Sequence, residues 1–398
     1  MNYRDAVLRL QQLLAPLAVD EFLDRTLTGG PRKLAGEATP ARTALLGADP
    51  QALLAGAVQL APQIVVAGGD PADDSHGLAS ITDAAGFRKR LCELRARGRS
   101  LHFPGVRALS PPLDVLARAL EMLLHQPVET YACWNGAGLR TAVAADTHDA
   151  LIVQMHGTTR WQVSTRPSDL ANSWHTLLDR PAELGAHETL ELAAAELLYL
   201  PRGTAYSVAS AEESLYLTLG FTPLTVRTAV MAALDHLSDI DRGWRMTFGG
   251  PLPLLVRGPG VERYLPTTTE AAANLATACK APGFLASALQ ARSARVVAAL
   301  PPLPVPNPLP LIAPDTELAQ GETAFCHLIG SPEQIDISYP GGHLYIPRSA
   351  QPAIEYIVNT PQFRVRDIPA ENDEARVSLA ARFVAIGFLK PTPPGGGT

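Results

Sequence analysis

Two hydrophobic rhythms alternate along the chain. Over the first 20 residues, Val7, Leu8, Leu10, Leu13, Leu14 and Leu17 recur at helical spacing and predict an amphipathic helix with one broad apolar face. Helical patterns return at 86–97 and at 112–125, where PPLDVLARALEMLLH opens on proline, a residue suited to a first helical turn. After Pro127 the period changes. ETYACW, ALIVQMHG, RWQVST, LLYLPRG and SLYLTLGF are short, rich in β-formers and separated by polar turns. In the last of these, Leu215, Leu217 and Leu219 share one face and Tyr216 and Thr218 the other. Short strands at this spacing predict a sandwich or barrel, not a parallel sheet.

From Pro223 the pattern is helical again, through LTVRTAVMAALDHLSDI, EAAANLATACK and PGFLASALQARSARVVAAL. ALPPLPVPNPLP at 299–310 then places six prolines in twelve residues, which predicts a stiff, extended linker and a domain boundary. Beyond it come apolar strands, a short helix (PAIEYIV), a turn, a longer helix from Asn372 to Ile386 and a final FLK, an order that resembles a winged-helix unit. The predicted organisation is residues 1–221 as a barrel with N-terminal helices, 222–298 as a helical segment, 299–310 as the linker and 311–398 as the winged-helix-like domain.

Composition narrows the classes. The 398 residues exceed what one core needs, and 46% apolar against 18% charged residues argues for packed domains. A net charge of −6 and a pI near 5.9 argue against nucleic acid as a partner. Cys92, Cys133, Cys279 and Cys326 form no C-x-x-C pair, which excludes a zinc knuckle and leaves buried, reduced thiols as the expectation. The N-terminal helix carries Arg4 and Arg9, and the most apolar window, 52–69, is broken by Gln59, Pro62 and Gln63. Both point to a soluble, cytoplasmic protein with no membrane partner.

The chemistry-bearing run is DTHDALIVQMHGTTRW at 146–161, preceded by VETYACW and followed by LLYLPRGTAYS and SLYLTLGFTPLT. Together these resemble the JmjC/cupin group of 2-oxoglutarate-dependent oxygenases that contains the ribosomal oxygenases. The resemblance implies a double-stranded β-helix of jelly-roll type, then a helical dimerisation segment and a winged-helix-like end. The family's wording is close to N-x-Y-x-T-P, then H-x-D-x-x-D-x-x-x-x-Q-x-x-G-x-[KR]-x-W, then L-Y-[IL]-P-x-G-x-x-H, then S-L-H-L-T. Each piece has a counterpart here, in order.

The resemblance also says what such chemistry needs: two histidines and a carboxylate on one face of Fe(II), with open positions for 2-oxoglutarate and oxygen. Anchored on Asp149, Gln154, Gly157 and Trp161, the first histidine falls on Ala144, the carboxylate on Asp146 and the second histidine on Tyr206. The basic residue that grips 2-oxoglutarate falls on Thr159, the asparagine of N-x-Y on Glu129 and the histidine of S-L-H-L-T on Tyr216. One ligand of three survives, and the cosubstrate anchor is gone. No catalytic residue, metal or cofactor is therefore expected.

None of the ten histidines precedes Asp or Glu by two positions. His148 is the one tempting substitute, since Asp146 and His148 would share a face of an extended strand; an Asp146–His148–Tyr206 site is the rival reading. His156 reads as a surface turn residue, His175 and His187 as solvated, and GGPRK at 29–33 as a structural turn. Tyr131, Trp134, Tyr206 and Tyr216 are expected to point into or rim the barrel mouth, with His148, Gln154 and Trp161 completing a candidate pocket. They either fill the volume left by the lost groups or form a binding pocket with hydroxyls on an apolar wall.

The leading reading is a JmjC-fold pseudo-oxygenase that binds a protein or peptide, dimeric with itself or with a relative, and accessory to an active oxygenase or a peptide-modifying enzyme. The alternative is an Fe(II)- and 2-oxoglutarate-dependent hydroxylase with an unusual metal site.

Overall fold

A computed structural model of the chain describes residues 1–26, 29–34, 39–67, 75–166, 183–247 and 261–392. They divide into two compact units, Met1–Pro223 and Leu224–Thr398.

The first unit begins with the predicted helix, Tyr3–Leu14, closed at its start by a reciprocal pair of bonds between Asn2 and Asp5. Its buried face is narrower than the sequence suggests: Ala6, Leu10, Leu13 and Leu14 are buried, whereas Leu8 is exposed. Helices Ala84–Ala96 and Pro111–Leu124 take up the other two helical patterns.

Among the described residues of this unit eleven strands follow in order: β1 (Arg32–Leu34), β2 (Val65–Ala67), β3 (Ser100–Pro104), β4 (Val128–Asn135), β5 (Leu139–Arg140) and β6 (Asp149–His156). The rest are β7 (Thr159–Ser164), β8 (His187–Leu192), β9 (Leu197–Leu200), β10 (Tyr206–Ser210) and β11 (Ser214–Phe221). They form a seven-stranded sheet in the order β1-β9-β6-β11-β4-β3-β2 and a four-stranded sheet in the order β5-β10-β7-β8. All described pairings in both are antiparallel.

Strand alternation splits the unit into two cores. Leu215, Leu217 and Leu219 of β11 join Leu151, Val153, Leu101 and Phe103 in the larger core, which the N-terminal helices cover. The opposite faces of the two sheets meet each other: Cys133, Ile152, Leu198 and Tyr216 from one sheet pack with Trp161, Val163, Leu192 and Val208 from the other. This inner core is the barrel interior. Helix Pro111–Leu124 is tied to the start of β4 by ions that water does not reach. Glu121, fully buried, accepts from Arg107 at 2.6 Å and from the backbone N–H of Val128 at 3.3 Å, and forms an ion pair with Arg118 at 3.0 Å. Removing one partner of such a buried pair costs about 3–5 kcal/mol.

The second unit carries helices Val226–Ile240, Leu265–Ala278 and Pro282–Ala299, then two three-stranded antiparallel sheets. β12 (Glu317–Gln320) lies between β16 (Gln362–Arg364) and β17 (Leu389–Pro391), and β14 (Gln334–Tyr339) lies between β13 (His327–Gly330) and β15 (Gly342–Pro347). Helices Gln351–Asn359 and Asp373–Ala385 complete it, the latter capped by Asn372, whose side chain accepts from the Ala375 N–H. The proline run carries neither helix nor strand from Pro301 to Pro310, but it is not a free spacer. Leu303 is buried among Ile335, Ile337, Phe383 and Phe388, because leucines set between prolines carry apolar surface that packing removes from water. No boundary between compact units falls there.

Candidate functional site

Register decides what faces the barrel interior. On β11, Tyr216 stands opposite Cys133 and Gln154, Thr218 opposite Tyr131 and Ile152, and Gly220 opposite Glu129 and Ala150. Directly paired residues point to the same face. Tyr131, Tyr216, Gln154 and, through β7 and β10, Trp161 and Tyr206 therefore line or rim one interior, as the sequence predicts.

Trp134 does not. It lies three residues from Tyr131 on one strand, and odd separations reverse the face. It pairs with Leu215 and Leu101, donates its indole N–H to Glu213 Oε1 at 2.9 Å and stacks under the Arg95 guanidinium, 3.9 Å from the ring centroid. Trp134 is a packing residue of the larger core and leaves the candidate pocket.

The positions that the resemblance assigns to metal ligands do converge. Ala144 and Tyr206 form an antiparallel bridge, each donating its N–H to the other's carbonyl, at 2.9 and 2.8 Å. The Tyr206 hydroxyl donates to Asp146 Oδ2 at 3.0 Å, and the Gly203 N–H donates to the Asp146 carbonyl at 2.7 Å. Gly203 sits at φ +78°, where a side chain is strained, so the turn that carries Tyr206 back to Asp146 favours glycine. Burial, and next the Asp146 charge, push the Tyr206 phenol well above its ordinary pKa. In this structure it is the donor of a hydrogen bond to Asp146.

His148 does not join Asp146 and Tyr206. The chain bends at Thr147 and His148, so the two residues do not share a strand face. The imidazole lies instead on the backbone of Gly220, where an added Cβ would stand 2.6 Å from Cδ2, and meets the Tyr131 ring edge-to-face at 6.2 Å. Its Nε2 is buried, with no hydrogen-bond partner among the described residues.

Thr159, at the cosubstrate-anchor position, is fully buried in a closed chain of bonds. It accepts from Trp161 Nε1 at 2.9 Å and donates to Gln154 Oε1 at 2.6 Å, while Gln154 Nε2 donates to the His156 carbonyl at 2.8 Å. Trp161 in turn packs on Tyr206 and Tyr216, at centroid distances of 5.4 and 5.2 Å. Gln154 and Trp161 thus form a sealed floor, not an open wall. Burial also pushes Tyr131 and Tyr216 upward and the Cys133 thiol up to about 12, so none of them is an activated nucleophile. Ala144 and Glu129 are exposed, and Asp146 is partly buried.

A search for histidines by spacing passes over His102. It lies on β3 opposite Cys133, on the interior face, with its pKa lowered by burial and raised in part by Asp146. The signal was the alternation in SLHFP, where Leu101 and Phe103 enter the larger core and His102 must face the other way. Of the remaining sequence candidates, His156 and His187 are exposed at strand ends, and His175 lies outside the described residues. Cys92 is exposed, against the expectation of buried thiols; Cys133 is buried.

This donor set does not fit a two-histidine, one-carboxylate iron centre with 2-oxoglutarate. Asp146 is the one expected ligand kept at the three positions, Ala144 offers no ligand atom, Tyr206 puts a phenol where the centre needs an imidazole, and the Thr159 hydroxyl, bonded to Gln154 and Trp161, has no charge to offer a carboxylate. Among the described residues, no group of three His, Cys, Asp or Glu side chains is placed to hold a metal ion.

Residues 109–229 match the family model of the JmjC domain. Among solved structures, E. coli ycfD is similar at 15% identity over 95% of this chain and 99% of that one, with a TM-score of 0.54. YcfD, a ribosomal oxygenase from Escherichia coli, in complex with cobalt and succinic acid, is similar at 16% identity over the same shares, with a TM-score of 0.51. The complex with cobalt and 2-oxoglutarate has the same identity, coverage and score. No curated protein matches the sequence. The chain thus carries a JmjC domain, within a fold that it shares with the ribosomal oxygenase YcfD.

Proposed function

We propose that the chain is a JmjC-fold pseudo-oxygenase, a binding or scaffold partner for a protein or peptide, accessory to an active oxygenase or a peptide-modifying enzyme. The observation that carries this reading is Thr159. Its hydroxyl is committed to Trp161 and Gln154 inside a sealed layer, so the position that would grip 2-oxoglutarate serves packing. Ala144 removes a metal ligand at a second, independent point.

In this reading the helices of the second unit mediate assembly, as a homodimer or with a relative. Helix Val226–Ile240 exposes Val226, Val230, Met231 and Ile240, and helix Leu265–Ala278 has no buried residue. The end of the chain acts as a winged-helix-like peptide or protein reader. A groove of about 300 Å³ runs between helices Gln351–Asn359 and Asp373–Ala385, with Ala353, Glu371, Leu379 and Arg382 on its walls. Arg376 is turned inward onto Asp373 and the carbonyls of Ile368 and Ala370, which leaves no basic stripe for nucleic acid. No helix among the described residues is long and apolar enough to cross a membrane.

A second reading has a specific observation behind it. The backbones of Ala144 and Tyr206 are paired and Asp146 is retained, and YcfD, of similar fold, has been solved with cobalt and 2-oxoglutarate. That reading is an active hydroxylase with an unusual Fe(II) site. Succinate formation from 2-oxoglutarate, with Fe(II), ascorbate and oxygen supplied, separates the two. The proposal expects none above the iron-only control; turnover lost in Asp146→Ala supports the hydroxylase.

A further inference from the structure

Resting on the reading of the second unit as a peptide or protein reader, we propose that its groove takes an extended peptide whose side chains along one face run acidic, apolar, basic. The acid is seated on Arg382, the apolar side chain on the floor and the base on Glu371. At about 300 Å³ the groove stands at the lower end of the range for ligand pockets. One wall is a helix face: Ala375, Ser378, Leu379 and Arg382 recur at the i, i+3, i+4, i+7 spacing that sets side chains in one row. Ala350 and Ala353, at the start of helix Gln351–Asn359, belong to the other. Ala353 and Leu379 are buried, so the base of the groove is apolar and rewards an apolar side chain laid over it. Apart from Glu371 and Arg382, no lining side chain is larger than leucine, which leaves that room unfilled.

Charge defines the two ends. Arg376 on the same helix is committed to Asp373 and to the carbonyls of Ile368 and Ala370. Arg382 and Glu371, by contrast, have no hydrogen bond or ion pair among the described residues. Glu371 precedes the N-cap residue Asn372 and Arg382 lies in the last turn, so at a helical rise of 1.5 Å per residue their backbones stand about 15 Å apart. An extended chain rises about 3.3 Å per residue and returns to the same face every second residue, so residues four apart span about 13 Å with their side chains on one side. A small anion would satisfy Arg382 and leave Glu371 unmatched; a peptide with both charges satisfies both. Charges of these signs at these ends also suit the helix dipole, so binding, not stability, is the quantity to measure.

Calorimetric titration of the full chain with two end-blocked peptides, Glu-Ala-Leu-Ala-Lys and its reverse Lys-Ala-Leu-Ala-Glu, tests the proposal. At least one order is expected to bind. Its affinity should fall about tenfold when serine replaces the central leucine, the scale of one buried apolar side chain, and several-fold when both charged residues become glutamine. Arg382→Gln and Glu371→Gln should each weaken the charged peptide several-fold and leave the glutamine peptide unchanged. Ser378→Leu, at an exposed helix position that leucine suits, should fill the groove and abolish binding with the far-UV spectrum unchanged. Failure of both orders to bind at millimolar concentration, or binding indifferent to Arg382→Gln or to Ser378→Leu, would overturn the proposal. A phage-displayed random peptide library separates that failure from failure of the reader. Clones retained equally by the Ser378→Leu chain overturn the groove and leave a reader elsewhere; no retained clone overturns the reader as well.

Discussion

The Tyr206 hydroxyl donates to Asp146 Oδ2 at 3.0 Å, so the one surviving carboxylate of the site is held by a neutral phenol on the strand that would carry a second metal ligand. Burial and the Asp146 charge keep that phenol protonated. The backbones of Ala144 and Tyr206 are paired beside Asp146, and the side chains of Tyr206 and Asp146 form a hydrogen bond there. The consequences are measurable.

Thr159→Val removes the acceptor of the Trp161 indole and the donor to Gln154, leaving two buried polar groups unpaired. A loss of about 1–3 kcal/mol in urea unfolding is expected, with a change in the near-UV signal of Trp161. A loss below a few tenths of a kcal/mol would mean that the layer is not sealed. Thr159→Lys should cost more, because it places an uncompensated charge in the same layer.

Gly220 is the platform on which the His148 ring lies. Gly220→Ala forces the imidazole away and is expected to lower stability by about 1–3 kcal/mol. Combining it with His148→Ala should recover most of that loss. Without such coupling in the double-mutant cycle, the contact has no energetic weight.

Stability should fall at alkaline pH. Cys133 is raised from 9.0 to about 12, and Tyr131, Tyr199, Tyr206 and Tyr216 are raised as well. Above their ordinary values the folded chain holds protons that the unfolded chain has released, so the stability they contribute is complete below pH 9 and is lost upward from there. Tyrosinate absorbance should show these four tyrosines ionising together with unfolding. If they titrate near pH 10 in the folded state, the lining is open to water.

Much of the fold was legible because it is periodic. The alternation in SLYLTLGF placed Leu215, Leu217 and Leu219 in one core and Tyr216 and Thr218 in the other, as the register has it. The same rule, applied to Tyr131 and Trp134, sends the tryptophan to the larger core; residue type alone does not carry that parity. His102 was missed because its place depends on the pairing of β3 with β4, a contact between distant segments. The bend at His148 and the packing of Leu303 are tertiary outcomes that local pattern does not encode.

Assembly through the helical segment predicts a particle of twice the 42.3 kDa chain mass, or a mixed pair with a relative. Val226→Asp with Val230→Glu, one turn apart on the same exposed face, should give monomers by light scattering with helicity unchanged. Full-length protein that is already monomeric at micromolar concentration, with or without a relative present, would remove this part of the account.

The central claim is that the iron site is retired, and anaerobic titration of the chelator-stripped protein with Fe(II) tests it most directly. The account predicts binding no tighter than a lone surface carboxylate gives, unchanged by Tyr206→Phe, with metal affinity appearing only when Ala144→His and Tyr206→His supply two imidazoles beside Asp146. Stoichiometric Fe(II) in the unaltered chain, lost on Asp146→Ala or Tyr206→Phe, would contradict it.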